Sequence, residues 1–170
     1  MFIAHLPSGY ILAKVLQKKF KTLPIHSHLF ITVTMLGAIF PDIDLFYFYL
    51  IDGRSVHHHQ YFLHWFAFWI PLFFIAFFCF WKSNFQSKWA ALASTFFLAA
   101  LLHVFLDTFV GDVWLLAPFV MEPFAFFEVS ARYQPWWLNF IFHWSFAVEL
   151  VICMWALIIF IKECKSKSLS

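Results

Sequence analysis

Four long apolar runs dominate this chain: residues 28–50, 59–81, 89–110 and 136–161. Each exceeds what a buried strand or a short core helix needs. The runs are crowded with aromatic rings, and 170 residues folded in water could not bury 27 Phe and nine Trp. Only 12% of the residues are charged, against about 25% in soluble domains. Lipid is therefore the solvent for most of the surface. The class that follows is all-α, a polytopic membrane helical bundle of about five helices.

Residues 2–20 read as a short amphipathic helix, with Lys14, Lys18 and Lys21 on one face. Its lysines follow the apolar stretch, the reverse of a secretory signal. The run 28–50 is broken by Pro41-Asp42-Ile43-Asp44. Proline removes a backbone donor there, so a bent or re-entrant segment is expected. The other three runs are long enough to span at about 1.5 Å per residue. The connector 111–135 holds Pro118, Pro123 and Pro135 and reads as an interfacial loop with short helical pieces. No repeat or low-complexity tract divides the chain. Residues 1–162 are expected to form one membrane-embedded domain, and 163–170 a basic cytoplasmic tail. Cys79, Cys153 and Cys164 lack C-x-x-C spacing and read as inert or lipid-facing thiols.

Orientation follows from the lysines. Lys14, Lys18, Lys19, Lys21, Lys82, Lys88, Lys162, Lys165 and Lys167 fall on one side if the chain crosses at each segment, and only Arg54 and Arg132 fall on the other. The lysine side is then cytoplasmic. On that map His5, Asp42, Asp44, His57, His58, His59, His64, His103, Asp107 and His143 lie toward the outer face. His26 and His28 lie beside the lysines and read as interfacial. A charge in hydrocarbon costs roughly 2.5–3.5 kcal/mol on insertion scales. Several such groups at one depth call for a shared partner, and a metal cation is the most economical one.

Spacing refines the candidates. His103 and Asp107 are i, i+4 and share a helix face. They either chelate one ion or form an internal ion pair. Asp42 and Asp44 would diverge on a regular helix, but the backbone at Pro41 lets both turn inward; a Pro-Asp turn is the bland alternative. His59 and His64 cannot ligate from one regular helix, so one belongs to the connector. Spacing alone does not choose among His57, His58 and His59. His143 is either a buried core histidine or a ligand or proton-transfer group. Glu149, in mid-membrane, needs a partner that spacing does not name.

These blocks together resemble the YdjM-like family of inner-membrane-associated, metal-dependent hydrolases, also described as LexA-binding. His5 with Gly9 resembles its His-x-x-x-Gly start. Gly37-Ala38-Ile39-Phe40-Pro41-Asp42-Ile43-Asp44 is similar to its Gly-Ala-hydrophobic-hydrophobic-Pro-Asp-hydrophobic-Asp stretch. His59-Gln60-Tyr61-Phe62-Leu63-His64-Trp65 has the spacing of its His-Arg-Gly-x-Thr-His-Ser block. His103-Val104-Phe105-Leu106-Asp107, with Gly111 and Pro118-Phe119 beyond, resembles its His-x-x-x-Asp block. The resemblance selects His59 over His57 and His58. It implies a bacterial inner-membrane location. A more distant similarity to zinc-dependent phospholipase C implies a cluster of two or three ions. Gln60, Tyr61, Leu63 and Trp65 depart from the middle block, whose arginine would hold a phosphate or an acidic neighbour. Arg54, in the adjacent loop, is a candidate substitute for it.

The expectation is a hydrolase acting on an ester or phosphoester, lipid included, at the outer leaflet of the bacterial cytoplasmic membrane. His5, Asp42, Asp44, His59, His64, His103 and Asp107 are the candidate ligands, zinc the first-choice metal, and His143 the candidate proton shuttle. The alternatives are a non-catalytic scaffold or regulatory protein, and a metal, proton or haem-binding transport component. No nucleic-acid motif is present, and the lysines read as topology determinants and anionic-lipid contacts.

Overall fold

The computed structural model describes residues 3–20 and 25–168, with side chains through residue 166. Among the described residues, seven α-helices follow one another: α1 (His5–Lys19), α2 (Ser27–Gly37), α3 (Asp44–Leu50), α4 (Phe66–Lys82), α5 (Lys88–Asp107), α6 (Leu138–Ile141) and α7 (Ser145–Ser168). Among the described residues there is no β-strand, only an isolated antiparallel bridge between Val113 and Phe124. The chain is the all-α bundle its composition requires.

Helices α5 and α7 are long and apolar enough to cross a membrane, and α2 with Phe40–Leu50 makes a third candidate, bent by 57°. The break falls at Ala38 and Ile39, just before the 3-10 turn Phe40–Ile43 that holds Pro41, whose missing donor interrupts the helical ladder there. The expected span 59–81 is shorter than its hydropathy implied. His58–Gln60 and Phe62–His64 form two 3-10 turns, and α4 begins only at Phe66. Its 17 residues reach about 25 Å at about 1.5 Å per residue, against about 30 Å of hydrocarbon. The expected span 136–161 is likewise divided, since α6 stands apart and α7 starts at Ser145. Helix α7 runs on to Ser168, so residues 163–168 prolong it. The connector 111–135 carries turns instead of helical pieces, its three prolines withholding the donors a helix would need.

The bundle is tightened by small residues. A Cβ on Gly37 would stand no more than 3.0 Å from three backbone atoms of Phe96, and one on Gly9 would meet the Ala38 Cβ at 2.6 Å. Gly37 thus lets α2 lie directly on α5, and Gly9 lets α1 lie on the end of α2. Across the α2–α5 contact the buried hydroxyls of Thr34 and Thr95 meet at 2.8 Å. At the other side of α5, Trp69, Ala100, Val104, Leu63 and Val113 form a buried apolar cluster, and the Trp69 indole donates to the Leu63 carbonyl at 2.7 Å.

Polarity along the bundle is clear. Helix α5 begins at Lys88 and carries His103 and Asp107 in its last turns, while α4 runs back from Phe66, just after His64, to Lys82. Helix α7 runs alongside α1, with Glu149 beside Ala4 and Glu163 beside Tyr10 and Lys14. The candidate ligand histidines and aspartates therefore gather at one end of the bundle and the described lysines toward the other. Lys21 and the Lys167 side chain lie outside the described residues. Phe74, Ile75, Phe78 and Trp81 on α4, and Val151, Met154, Trp155 and Leu157 on α7, are each more than half exposed. So continuous an apolar surface belongs in lipid.

Gly37→Ala is expected to cost about 1–3 kcal/mol, as overpacking of a close contact does, read as a lower midpoint for unfolding in detergent. Gly111→Ala is the control, because a Cβ there meets nothing within 4 Å, and its midpoint should be unchanged.

Candidate metal centre

Six short elements deliver the polar groups. His5 opens α1 and Asp44 opens α3. Asp42 sits in the 3-10 turn after Pro41. His58 and His59 lie in the first 3-10 turn of the connector and His64 ends the second. His103 and Asp107 occupy the last turns of α5. The irregular backbone at Asp42 and through His58–His64 is what allows adjacent residues to aim at one point.

Asp107, 2% exposed, is the hub. Its Oδ1 lies 3.0 Å from His5 Nε2 and its Oδ2 lies 3.0 Å from His103 Nε2. His59 Nε2 and His64 Nε2 each approach Oδ2 to 3.8 Å. Asp42 Oδ1 stands 3.5 Å from His103 Nε2 and 3.9 Å from His64 Nε2. The His5 and His103 rings stack at 3.7 Å. Three overlapping sets bring their donor atoms within 4.8 Å of one another: His5, Asp42 and His103; His64, His103 and Asp107; His58, His59 and His64. A tetrahedral zinc with ligands at about 2.0–2.1 Å separates its ligand atoms by about 3.3 Å, which matches these spacings.

The imidazoles are held from behind. His103 Nδ1 donates to the Ala38 carbonyl at 2.8 Å, and His59 Nδ1 to the Asp112 carbonyl at 2.7 Å. Carbonyls only accept, so these protons sit on Nδ1, and in the neutral ring Nε2 keeps its lone pair. His64 Nδ1 is held in the same way by Asp44 Oδ2 at 2.8 Å. Oxygen acceptors behind ligating histidines are the usual means of fixing tautomer and ring orientation. His64 Nε2 is fully buried and makes no hydrogen bond. An orphaned nitrogen facing two carboxylates is a site for a cation. Burial, with the imidazoles of His64 and His57 adding to it, pushes His58 down to about 4, so that ring is neutral and free to coordinate near pH 7.

Of the candidate residues, the structure draws His5, Asp42, His59, His64, His103 and Asp107 together. Asp44 stands behind His64 as its acceptor, outside all three sets. His143 is elsewhere: its Nδ1 bonds the Ser145 hydroxyl at 2.8 Å and its ring neighbours Trp144, and among the described residues no hydrogen bond or ring contact joins it to the cluster. His58 joins a ligand set although the resemblance favoured His59 alone; the run of three histidines was its only signal. The Ala38 and Asp112 carbonyls had no signal at all, because every residue carries one.

Glu149 finds its partners in the backbone. Its Oε2 accepts from Ile3 N at 2.5 Å and Ala4 N at 3.1 Å. These amides lie at the start of α1, where donors lack intrahelical acceptors and negative charge is favoured. The contact pins α7 to α1 one residue before His5. Glu149→Ala is expected to cost roughly 3 kcal/mol, given about 1.5–3 kcal/mol for a hydrogen bond to a charged group. Thermal unfolding in detergent would show the loss, and Glu149→Gln should recover part of it.

No curated protein and no solved structure matches the chain. A family model described as YdjM inner membrane protein matches residues 1–166. With that match over nearly its whole length and helices built for lipid, the chain is a membrane protein that belongs to the YdjM inner membrane protein family.

Proposed function

We propose that this chain is a membrane-embedded, metal-dependent hydrolase of an ester or phosphoester. The observation that carries the reading is the buried, unbonded His64 Nε2 facing Asp42 and Asp107, with the rings of His59, His64 and His103 each tethered through Nδ1. His5, Asp42, His59, His64, His103 and Asp107 would hold the metal, with His58 a further donor. The mixed imidazole and carboxylate set suits zinc, and seven donor residues are enough for two or three ions. Metal bound there supplies water with a pKa near 7 and a counter-charge for the developing oxyanion.

The chain's own residues do the rest. Asp44 and the Ala38 and Asp112 carbonyls keep three rings in one tautomer. Trp136 and Phe140 wall the cleft above Asp107 and limit water. Family membership and the lysine distribution support a bacterial inner-membrane protein with its basic tail in the cytoplasm and its cluster toward the periplasmic leaflet. A lipid substrate fits that depth.

Metal analysis of detergent-purified protein tests the proposal. The wild type should carry a divalent metal in at least stoichiometric amount. His103→Ala and Asp107→Ala should lose it, and Asp44→Ala should bind roughly 10–100-fold more weakly, as expected when an acceptor behind a ligand is removed. Chelation should abolish hydrolysis of chromogenic esters, and zinc or manganese should restore it. Equal, negligible metal in all four proteins would end the proposal.

A further inference from the structure

A cleft of about 520 Å³ opens onto the cluster, with Asp42, His58, His59 and Asp107 on its floor. Aromatic side chains, Phe48, Tyr49, Trp136 and Phe140, make much of its wall, and Arg54 also lines it. Arg54 is the one lining side chain that is cationic at any working pH.

The arginine is carefully held. It follows Gly53 in a tight turn, and both residues have positive φ, +61° and +66°. A non-glycine residue in that region is uncommon, and such outliers gather at ligand clamps. The Arg54 amide donates to the Phe48 carbonyl at 3.1 Å. Asp52 closes the turn by accepting from the Ser55 amide at 2.9 Å and its hydroxyl at 2.6 Å. The guanidinium lies over the Tyr49 ring, 4.7 Å from its centroid. No carboxylate among the described residues comes within ion-pair distance of it. Stacking fixes the plane of the guanidinium and leaves its donors unspent.

We infer that Arg54 is a specificity-determining residue, and that the substrate is an anionic phosphoryl ester with an apolar body. The inference rests on the hydrolase reading and narrows it. A carboxylic ester offers one carbonyl oxygen to a metal and has no use for a second, fixed cation. A phosphoryl group offers separate charged oxygens, one set for the metal and another for a guanidinium fork. The aromatic wall then receives the apolar remainder.

Inorganic phosphate is the probe, titrated calorimetrically into full-length protein in detergent, both metal-loaded and chelator-treated. Wild type, Arg54→Gln, Arg54→Lys and Arg132→Gln are compared, with metal content measured for each. Arg54→Gln should weaken phosphate binding about tenfold or more, as loss of a charge-assisted pair does. Arg54→Lys should fall between, because it keeps charge but loses the fork. Arg132→Gln, away from the cleft lining, should match wild type. Metal content should be the same in all four. Wild type that binds no phosphate in either form, an unchanged Arg54→Gln, or an equal loss in Arg132→Gln would overturn the inference. Absence of metal from wild type would instead overturn the hydrolase reading, and the Arg54 comparison in chelator-treated protein would still decide the subsite.

Discussion

The rest of the structure turns on one carboxylate sealed from solvent. Asp107 is 2% exposed, at the end of a helix long and apolar enough to cross a membrane. An ionised group so placed is tolerated only with compensating charge or donors. Imidazoles from α1, from the connector and from α5 itself close around it. Each comes from a different stretch of backbone, so satisfying Asp107 and assembling the bundle are one event. A divalent ion held among these imidazoles would offset that charge further.

Bringing those groups together demands helices that touch. Gly37 and Gly9 remove the side chains that would hold α2 from α5 and α1 from α2. Both lie near site residues: Gly9 is one turn after His5, and Gly37 precedes the residue whose carbonyl accepts from His103. Glu149 adds the third fastening, drawing α7 to the first amides of α1. The apolar surface faces outward to lipid, so small residues and a few buried polar contacts carry the association that a hydrophobic core carries in water.

Much of this was legible in the residues. Pro41 marked the bend, the phenylalanine-rich runs marked the membrane, and i, i+4 spacing put His103 and Asp107 on one face. The lysines and the candidate ligands separated toward two ends of the molecule. What hydropathy missed was the connector: Tyr61, Phe62, Leu63 and Trp65 are as apolar as a span, yet they pack two 3-10 turns. An apolar run reports burial or lipid and not helix period, so the start of α4 was unreadable. Asp44 read as a ligand because sequence shows a carboxylate but not which side of an imidazole it meets. The Glu149 partners were hidden because backbone amides are chemically the same at every position.

One consequence follows from the tethers behind the rings. Two of the three acceptors are main-chain oxygens, at positions 38 and 112. Replacing the side chain at 112 leaves that oxygen where it is, provided the loop keeps its path. Ring orientation at His59 is thereby insulated from drift in much of the surrounding text. A chain of this kind could change the residues beside such a histidine and still aim the same nitrogen at the same point.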